Sequence, residues 1–137
     1  MDAWIVEKNE MSINDMFEKY GETYFRDRET DAVREISQTE PAIVSCGGGA
    51  VLRDQNTQMM KETGKIVLLT ATPETVYERV KDSTDRPLLN GNMNVEHIAK
   101  LMEKRRELYV NACDIKVATD RKTPQEIAEE ILKISQG

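Results

Sequence analysis

Residues 42–49 read Ala-Ile-Val-Ser-Cys-Gly-Gly-Gly, a short apolar run that stops on three consecutive glycines. A run of this length bounded by a turn fits a strand buried on both faces. Glycine at its end lets a ligand approach the backbone closely and leaves amides to donate hydrogen bonds. The stretch therefore predicts a buried strand over 42–46 and candidate binding backbone at Gly47, Gly48 and Gly49.

Downstream, Arg53 to Glu62 read as a helix closed by Gly64, and Ile66 to Leu69 as a second buried strand. Thr72-Pro73-Glu74 combines a cap, a proline at the first helical position and an acid in the first turn, which predicts a helix to Val80. Lys81 to Asn94 are polar and turn-rich; Val95 to Asn111 predict a long helix and Ile115 to Val117 a short strand. A capping box, Thr123-Pro124-Gln125-Glu126, opens the last helix, with Ile127, Ile131 and Ile134 on its inner face.

Upstream, Ser12 caps a helix whose apolar face is Met16 and Phe17, and Gly21 separates it from a helix over Glu22 to Ser37. Tyr24, Phe25, Ala32, Val33 and Ile36 make the apolar stripe of that helix. Strands alternating with helices imply an α/β fold with parallel pairing and helices on both faces. Functional groups then gather at the C-terminal strand ends, here Gly47 to Gly49, Thr70 to Thr72 and Thr119 to Lys122.

The chain has 137 residues, a size that suits one domain, and the reading is a single domain over 1–137. A net charge of −6 argues against a general nucleic-acid binder, which needs a basic field. Small anionic ligands remain compatible, because a few arginines can line one cleft. No apolar run approaches the roughly 18 residues of a membrane span, so no membrane partner is expected. Cys46 and Cys113 lack zinc-ligand spacing and are expected as reduced thiols in a cytoplasmic protein. Cys46 is expected as a small buried filler, His97 in surface or helix packing, and Trp4 against the first helix or as a wall of the substrate cleft.

Four clusters carry the chemistry: Tyr24-Phe25-Arg26-Asp27-Arg28-Glu29, the glycine triplet, Arg86-Pro87-Leu88-Leu89 in the polar loop, and Lys104-Arg105-Arg106. Arginine suits forked hydrogen bonding to carboxylate or phosphate. Singly, each arginine reads as an ion-paired helix residue and the triplet as a turn. Taken in order with Asp2 and Leu108-Tyr109, they resemble the shikimate kinases, and the resemblance runs from Asp2 to Pro124.

That resemblance implies a P-loop-kinase-like three-layer fold with a parallel sheet, and transfer of the ATP γ-phosphate to the 3-hydroxyl of shikimate in aromatic amino-acid biosynthesis. It implies that Arg26 and Arg105 bind the shikimate carboxylate. Asp2 and the glycine-turn backbone (Gly47, Gly48, Gly49) would meet the ring hydroxyls, with Asp2 orienting the attacking one and accepting its proton. Arg86 matches a lid arginine, on a lid loop at about 81–94, that closes on the transferring phosphate. Arg79 and Lys122 match the adenine side of the nucleotide site.

One departure is sharp. No G-x-x-x-x-G-K-[ST] occurs, and the glycine triplet has neither the lysine nor the hydroxyl that such a loop needs. The fold is therefore expected without its first βα unit, roughly 30 residues, and without the first aspartate of a paired motif whose second member is Asp2. The expectation is an inactive fragment begun at an internal methionine. A non-catalytic shikimate-binding module is the alternative, and a different small-molecule kinase such as a gluconate kinase is a further one. ATP and Mg2+ belong to the complete family enzyme and are not expected to bind well here, and no metal ligand is assigned. A sheet without its central strand is also expected to aggregate, to pair its two flanking strands directly, or to self-associate and complete itself with another chain's edge.

Overall fold

The computed structural model describes residues 1–82 and 93–136, which fall into two compact units. The first spans Met1–Gly64, and the second takes the described residues from Lys65 onward. Arg86 and most of the expected lid loop lie outside the described residues.

Helices build the first unit: α1 (Asp2–Asn9), α2 (Ile13–Tyr20), α3 (Glu22–Ile36) and α4 (Asp54–Thr63), with a 3-10 turn at Ala50–Leu52. Ser12 caps α2 as its position predicts, its hydroxyl accepting from the Asp15 amide at 3.1 Å. Such a cap contributes about 1 kcal/mol. Gly21 adopts φ 88°, a left-handed value that costs glycine little, and its amide closes α2 on the Met16 and Phe17 carbonyls. That turn folds α3 back on α2, so Phe17 and Phe25 meet with ring centroids 5.1 Å apart.

Ile5, Met16, Phe25 and Ala32 form the buried core of this unit, and Trp4, Phe17, Tyr24 and Ile36 pack around it. Burying a side chain of this size stabilises by about 1.5–3 kcal/mol. One stripe of α3 is thereby anchored in the core. Neighbouring positions of the same helix bury the polar residues Arg26, Glu29 and Thr30.

The expected strand over 42–46 is not formed. Residues 42–46 join no sheet among the described residues; Ile43 is fully exposed and Val44 38% exposed. An extended apolar run becomes a buried strand only when neighbours satisfy its backbone and cover its faces. Here the Met1 ammonium donates to the Ser45 carbonyl at 2.7 Å. Cys46, expected as buried filler, is exposed for the same reason.

The second unit contains β1 (Val67–Thr70), α5 (Pro73–Val80), α6 (Val95–Ala112), β2 (Ile115–Ala118) and α7 (Pro124–Gln136). The strands pair in parallel, Val67 opposite Ile115 through Thr70 opposite Ala118. One carboxylate fastens each end of the pair. Asp114 accepts from the Ile66 amide at 2.8 Å, and Asp120 accepts from the Thr72 amide at 2.9 Å. Thr72 and Asn94 cap α5 and α6 through their side chains, and Thr123 accepts from the Glu126 amide at the start of α7.

Val117, Ile98 and Ala112 are the buried apolar residues of this unit among the described residues. Ile127 and Ile131 of α7 are half-buried as the inner face requires, whereas Ile134 is exposed. Leu69, Leu108, Val110 and Leu132 are exposed as well. The parallel pair places Thr70–Thr72 and Thr119–Lys122 side by side at its C-terminal end.

Candidate functional site

In the first unit the glycine turn lies against α3. The Ala50 amide donates to the Gly47 carbonyl at 3.2 Å, and the Leu52 amide donates to the Gly49 carbonyl at 3.1 Å, so the triplet runs straight into the 3-10 turn. A Cβ added to Gly49 would overlap the Arg26 guanidinium, which is why this position has no side chain. A Cβ on Gly47 would lie 3.4 Å from Asp2 Oδ1 and 3.8 Å from Glu29 Oε2. Asp2, Arg26, Glu29, Gly47 and Gly49 are thus one cluster, built from the start of α1, one stripe of α3 and the turn.

Two acids on the same helix hold Arg26. Its Nη1 donates to Glu29 Oε1 at 3.1 Å, and its Nε donates to Glu22 Oε2 at 3.2 Å. Glu29 is 1% exposed, so the Arg26–Glu29 pair is removed from water, whereas Glu22 sits at the surface. Both terminal nitrogens lie against Gly49, Nη1 nearer than Nη2, and among the described residues no hydrogen bond engages Nη2. A guanidinium fixed by two of its nitrogens presents the third as an oriented donor. Asp2 and Gly48 are both exposed.

The second unit carries Arg79, Arg105 and Lys122. Arg79, on α5, donates from Nη1 to Thr119 Oγ1 and from Nη2 to the Thr119 carbonyl, both at 2.9 Å. Thr119 is 3% exposed, and its hydroxyl donates to the Thr70 carbonyl at 2.8 Å. The guanidinium is therefore held by its edge at the C-terminal end of the strand pair. Lys122 donates to Glu130 Oε2 at 2.6 Å, so an anionic ligand there shares the ammonium with Glu130. Arg105, on α6, is half-buried and donates from Nη1 to the Tyr109 hydroxyl at 3.3 Å. At the C-terminal end of the strand pair, the Thr72 amide bonded to Asp120, helped by the Thr75 hydroxyl, holds that carboxyl below its ordinary 3.8.

A separate cleft of about 420 Å³ opens between α1 and α3, lined by Trp4, Lys8, Arg28, Asp31, Arg34 and Glu35. Its charges pair with one another, Lys8 with Glu35 and both arginines with Asp31, and Lys8 sits over the Trp4 ring. Trp4 is itself part of α1, a helix not expected from the sequence; it packs on the Ile5–Met16 core and lines this cleft, on the side of α3 opposite Arg26.

The family model described as shikimate kinase matches residues 1–136. This chain belongs to the shikimate kinase family. It is 40% identical over 137 residues to a shikimate kinase of Geobacter metallireducens, covering all of this chain and 76% of that protein. A Sulfurihydrogenibium shikimate kinase is 40% identical over 132 residues, covering 96% of this chain and 78% of the relative. Among solved structures, the Acinetobacter baumannii shikimate kinase in complex with shikimate gives a TM-score of 0.94 at 28% identity, over 98% of this chain and 75% of that one. The Aquifex aeolicus enzyme gives 0.82 at 36% identity, over 99% and 79%.

The shikimate kinase match runs through every residue singled out from the sequence. Sequence reasoning named Glu29 only as part of a cluster and Thr119 only as part of a strand end, and gave no role to Arg53 or Asn56. Glu29 was signalled by its three-residue spacing from Arg26, which sets the pair on one helix face. Arg53 and Thr119 have partners distant in sequence, whereas Asn56 bonds only six residues back, to Ala50, across the glycine turn.

Proposed function

We propose that this chain carries the shikimate-binding side of a kinase that transfers the ATP γ-phosphate to the 3-hydroxyl of shikimate. The observation that carries this reading is the Gly49 backbone against a fixed Arg26, with Asp2 beside Gly47, in a chain of this family. Arg26 and Arg105 take the carboxylate of shikimate. Asp2 receives the attacking hydroxyl and its proton, and the backbone of Gly47, Gly48 and Gly49 meets the ring. Neutralising a carboxylate with oriented guanidinium donors fixes the hydroxyl for in-line attack, and positioning is most of what phosphoryl transfer asks of a protein.

Arg79 presents the flat faces of its edge-held guanidinium to the adenine, Lys122 meets the nucleotide, and Arg86 reaches the transferring phosphate from the lid. Family members use ATP with Mg2+. These 137 residues do not fit that pair by themselves. They contain no glycine-rich loop followed by lysine and a hydroxyl residue, and the described residues hold no cluster of three histidine, cysteine or carboxylate groups. The reading therefore gives this chain shikimate binding with weak ATP and Mg2+ binding, and routes no step through the metal. Chain edges such as residues 42–46 could be completed by self-association. We assign the protein to the cytoplasm and treat both units as one working domain. Among the described residues, no helix is long and apolar enough to cross a membrane. Calorimetric titration with shikimate tests the reading, and absence of binding at millimolar ligand contradicts it.

A further inference from the structure

We infer that Arg53 is a positioning residue for shikimate binding, holding the glycine turn at its working distance from Arg26; this rests on the reading above. Arg53 sits between the 3-10 turn and α4 in extended conformation and makes no cap of its own. Its side chain reaches back to α3 instead. Nη1 lies 2.8 Å from Asp27 Oδ1 and donates to Thr30 Oγ1 at 3.2 Å. Thr30 is 4% exposed, and its hydroxyl donates to the Arg26 carbonyl at 3.1 Å. One nitrogen thus grips the residue after Arg26 and the hydroxyl bonded to the Arg26 backbone.

The other end of the same segment is fixed as well. Asn56, 1% exposed, donates from Nδ2 to the Ala50 carbonyl at 3.0 Å, directly after Gly49. Asn56 ties the turn to α4, and Arg53 ties that assembly to α3. The contact between Gly49 and Arg26 has a side chain on one side only, since Gly49 has none, so the place of the Gly49 backbone must be set by its neighbours. Arg53 and Asn56 set it without themselves belonging to the ligand contacts. An exposed Arg–Asp pair alone contributes about 0–1 kcal/mol, and here the shared bond to buried Thr30 makes the pair directional.

The test uses the chain as it stands. Shikimate affinity is measured by calorimetry for the parent, Arg53→Ala, Arg53→Lys, Asp27→Ala and the Arg53→Ala/Asp27→Ala double variant, well below each melting temperature. Hydrogen exchange is read at the Ala50 and Leu52 amides, both of which bond within the turn. The expected result is an affinity loss of about tenfold for Arg53→Ala, partial recovery in Arg53→Lys, a double variant no weaker than Arg53→Ala, and faster exchange at both amides. A variant that melts lower yet keeps parental affinity and exchange overturns the inference and leaves Arg53 a surface tie. Should Arg53→Ala fail to fold, Arg53→Lys decides by the same two readouts. If the parent itself does not bind shikimate, the functional reading fails. The exchange data then decide alone, with unchanged exchange in Arg53→Ala overturning the inference.

Discussion

Arg26 and Glu29 form an ion pair of 3.1 Å, three residues apart on α3, with side chains only 10% and 1% exposed. A buried charge left without its partner costs far more than the intact pair contributes. Glu29→Ala is therefore expected to destabilise the chain by about 3 kcal/mol, the lower end for such a break because Glu22 still faces Arg26. Denaturant unfolding checks this. A change under about 0.5 kcal/mol, the level of an ordinary surface substitution, would show that the pair is not removed from water.

Gly49 has φ −91° and ψ −4°, values open to any residue, so alanine there strains no backbone. Its Cβ instead occupies the place of the Arg26 guanidinium. Gly49→Ala is expected to destabilise by about 1–3 kcal/mol as an overpacked site and to weaken shikimate binding by displacing Arg26. Gly64→Ala is the control, since its Cβ meets only the Met60 carbonyl at 3.8 Å. Equal shikimate affinity for the two variants would separate Gly49 from the binding geometry.

Asp120 has its pKa lowered by the Thr72 amide and by the Thr75 and Thr72 hydroxyls. A carboxyl whose folded pKa is depressed adds stability above its ordinary value of 3.8, and that stability is lost as pH falls through the lower folded value. The melting temperature of the parent should therefore exceed that of Asp120→Asn at about pH 6 and converge with it towards about pH 2. A gap that stays constant over this range would mean that the charge on Asp120 does not fasten the strand ends.

Ile43 tests an element where the expectation and the structure part. A buried strand residue truncated to alanine loses about 2–5 kcal/mol, whereas an exposed one changes stability by less than about 0.5. Ile43→Ala should belong to the second class and Met16→Ala, fully buried in the helical core, to the first. Chemical unfolding of both variants decides. A large loss at Ile43 would mean that the run is covered in solution, by another copy for instance, and gel filtration of the same sample would show it.

Much of the fold was legible because its signals are local. Ser12, Thr72 and Thr123 mark their helix starts by side-chain chemistry that acts over three residues, and Gly21 and Gly64 mark ends in the same way. The stripe of Phe25, Ala32 and Val33 showed which side of α3 is buried. Residues 42–46 misled because apolar content says that a segment prefers burial, not that partners exist to bury it. The candidate site was legible as residue types in order, with Asp2, Arg26 and the glycine triplet meeting in one unit. The work of Arg53 and Thr119 was hidden. Their bonds to Thr30 and Arg79 depend on side chains placed by the fold, and Thr119 meets Arg79 across 40 residues of sequence.

The most direct test of the account is a shikimate titration of the parent chain and of Arg105→Ala, followed by calorimetry. Arg105 bonds only to the Tyr109 hydroxyl among the described residues, so its removal perturbs the fold less than removal of Arg26. The account predicts saturable one-to-one binding by the parent. It predicts affinity about 10- to 150-fold lower in the variant, the loss of roughly 1.5–3 kcal/mol for a charge-assisted bond to a carboxylate. Equal affinity in the two proteins, or no binding by the parent, would contradict it.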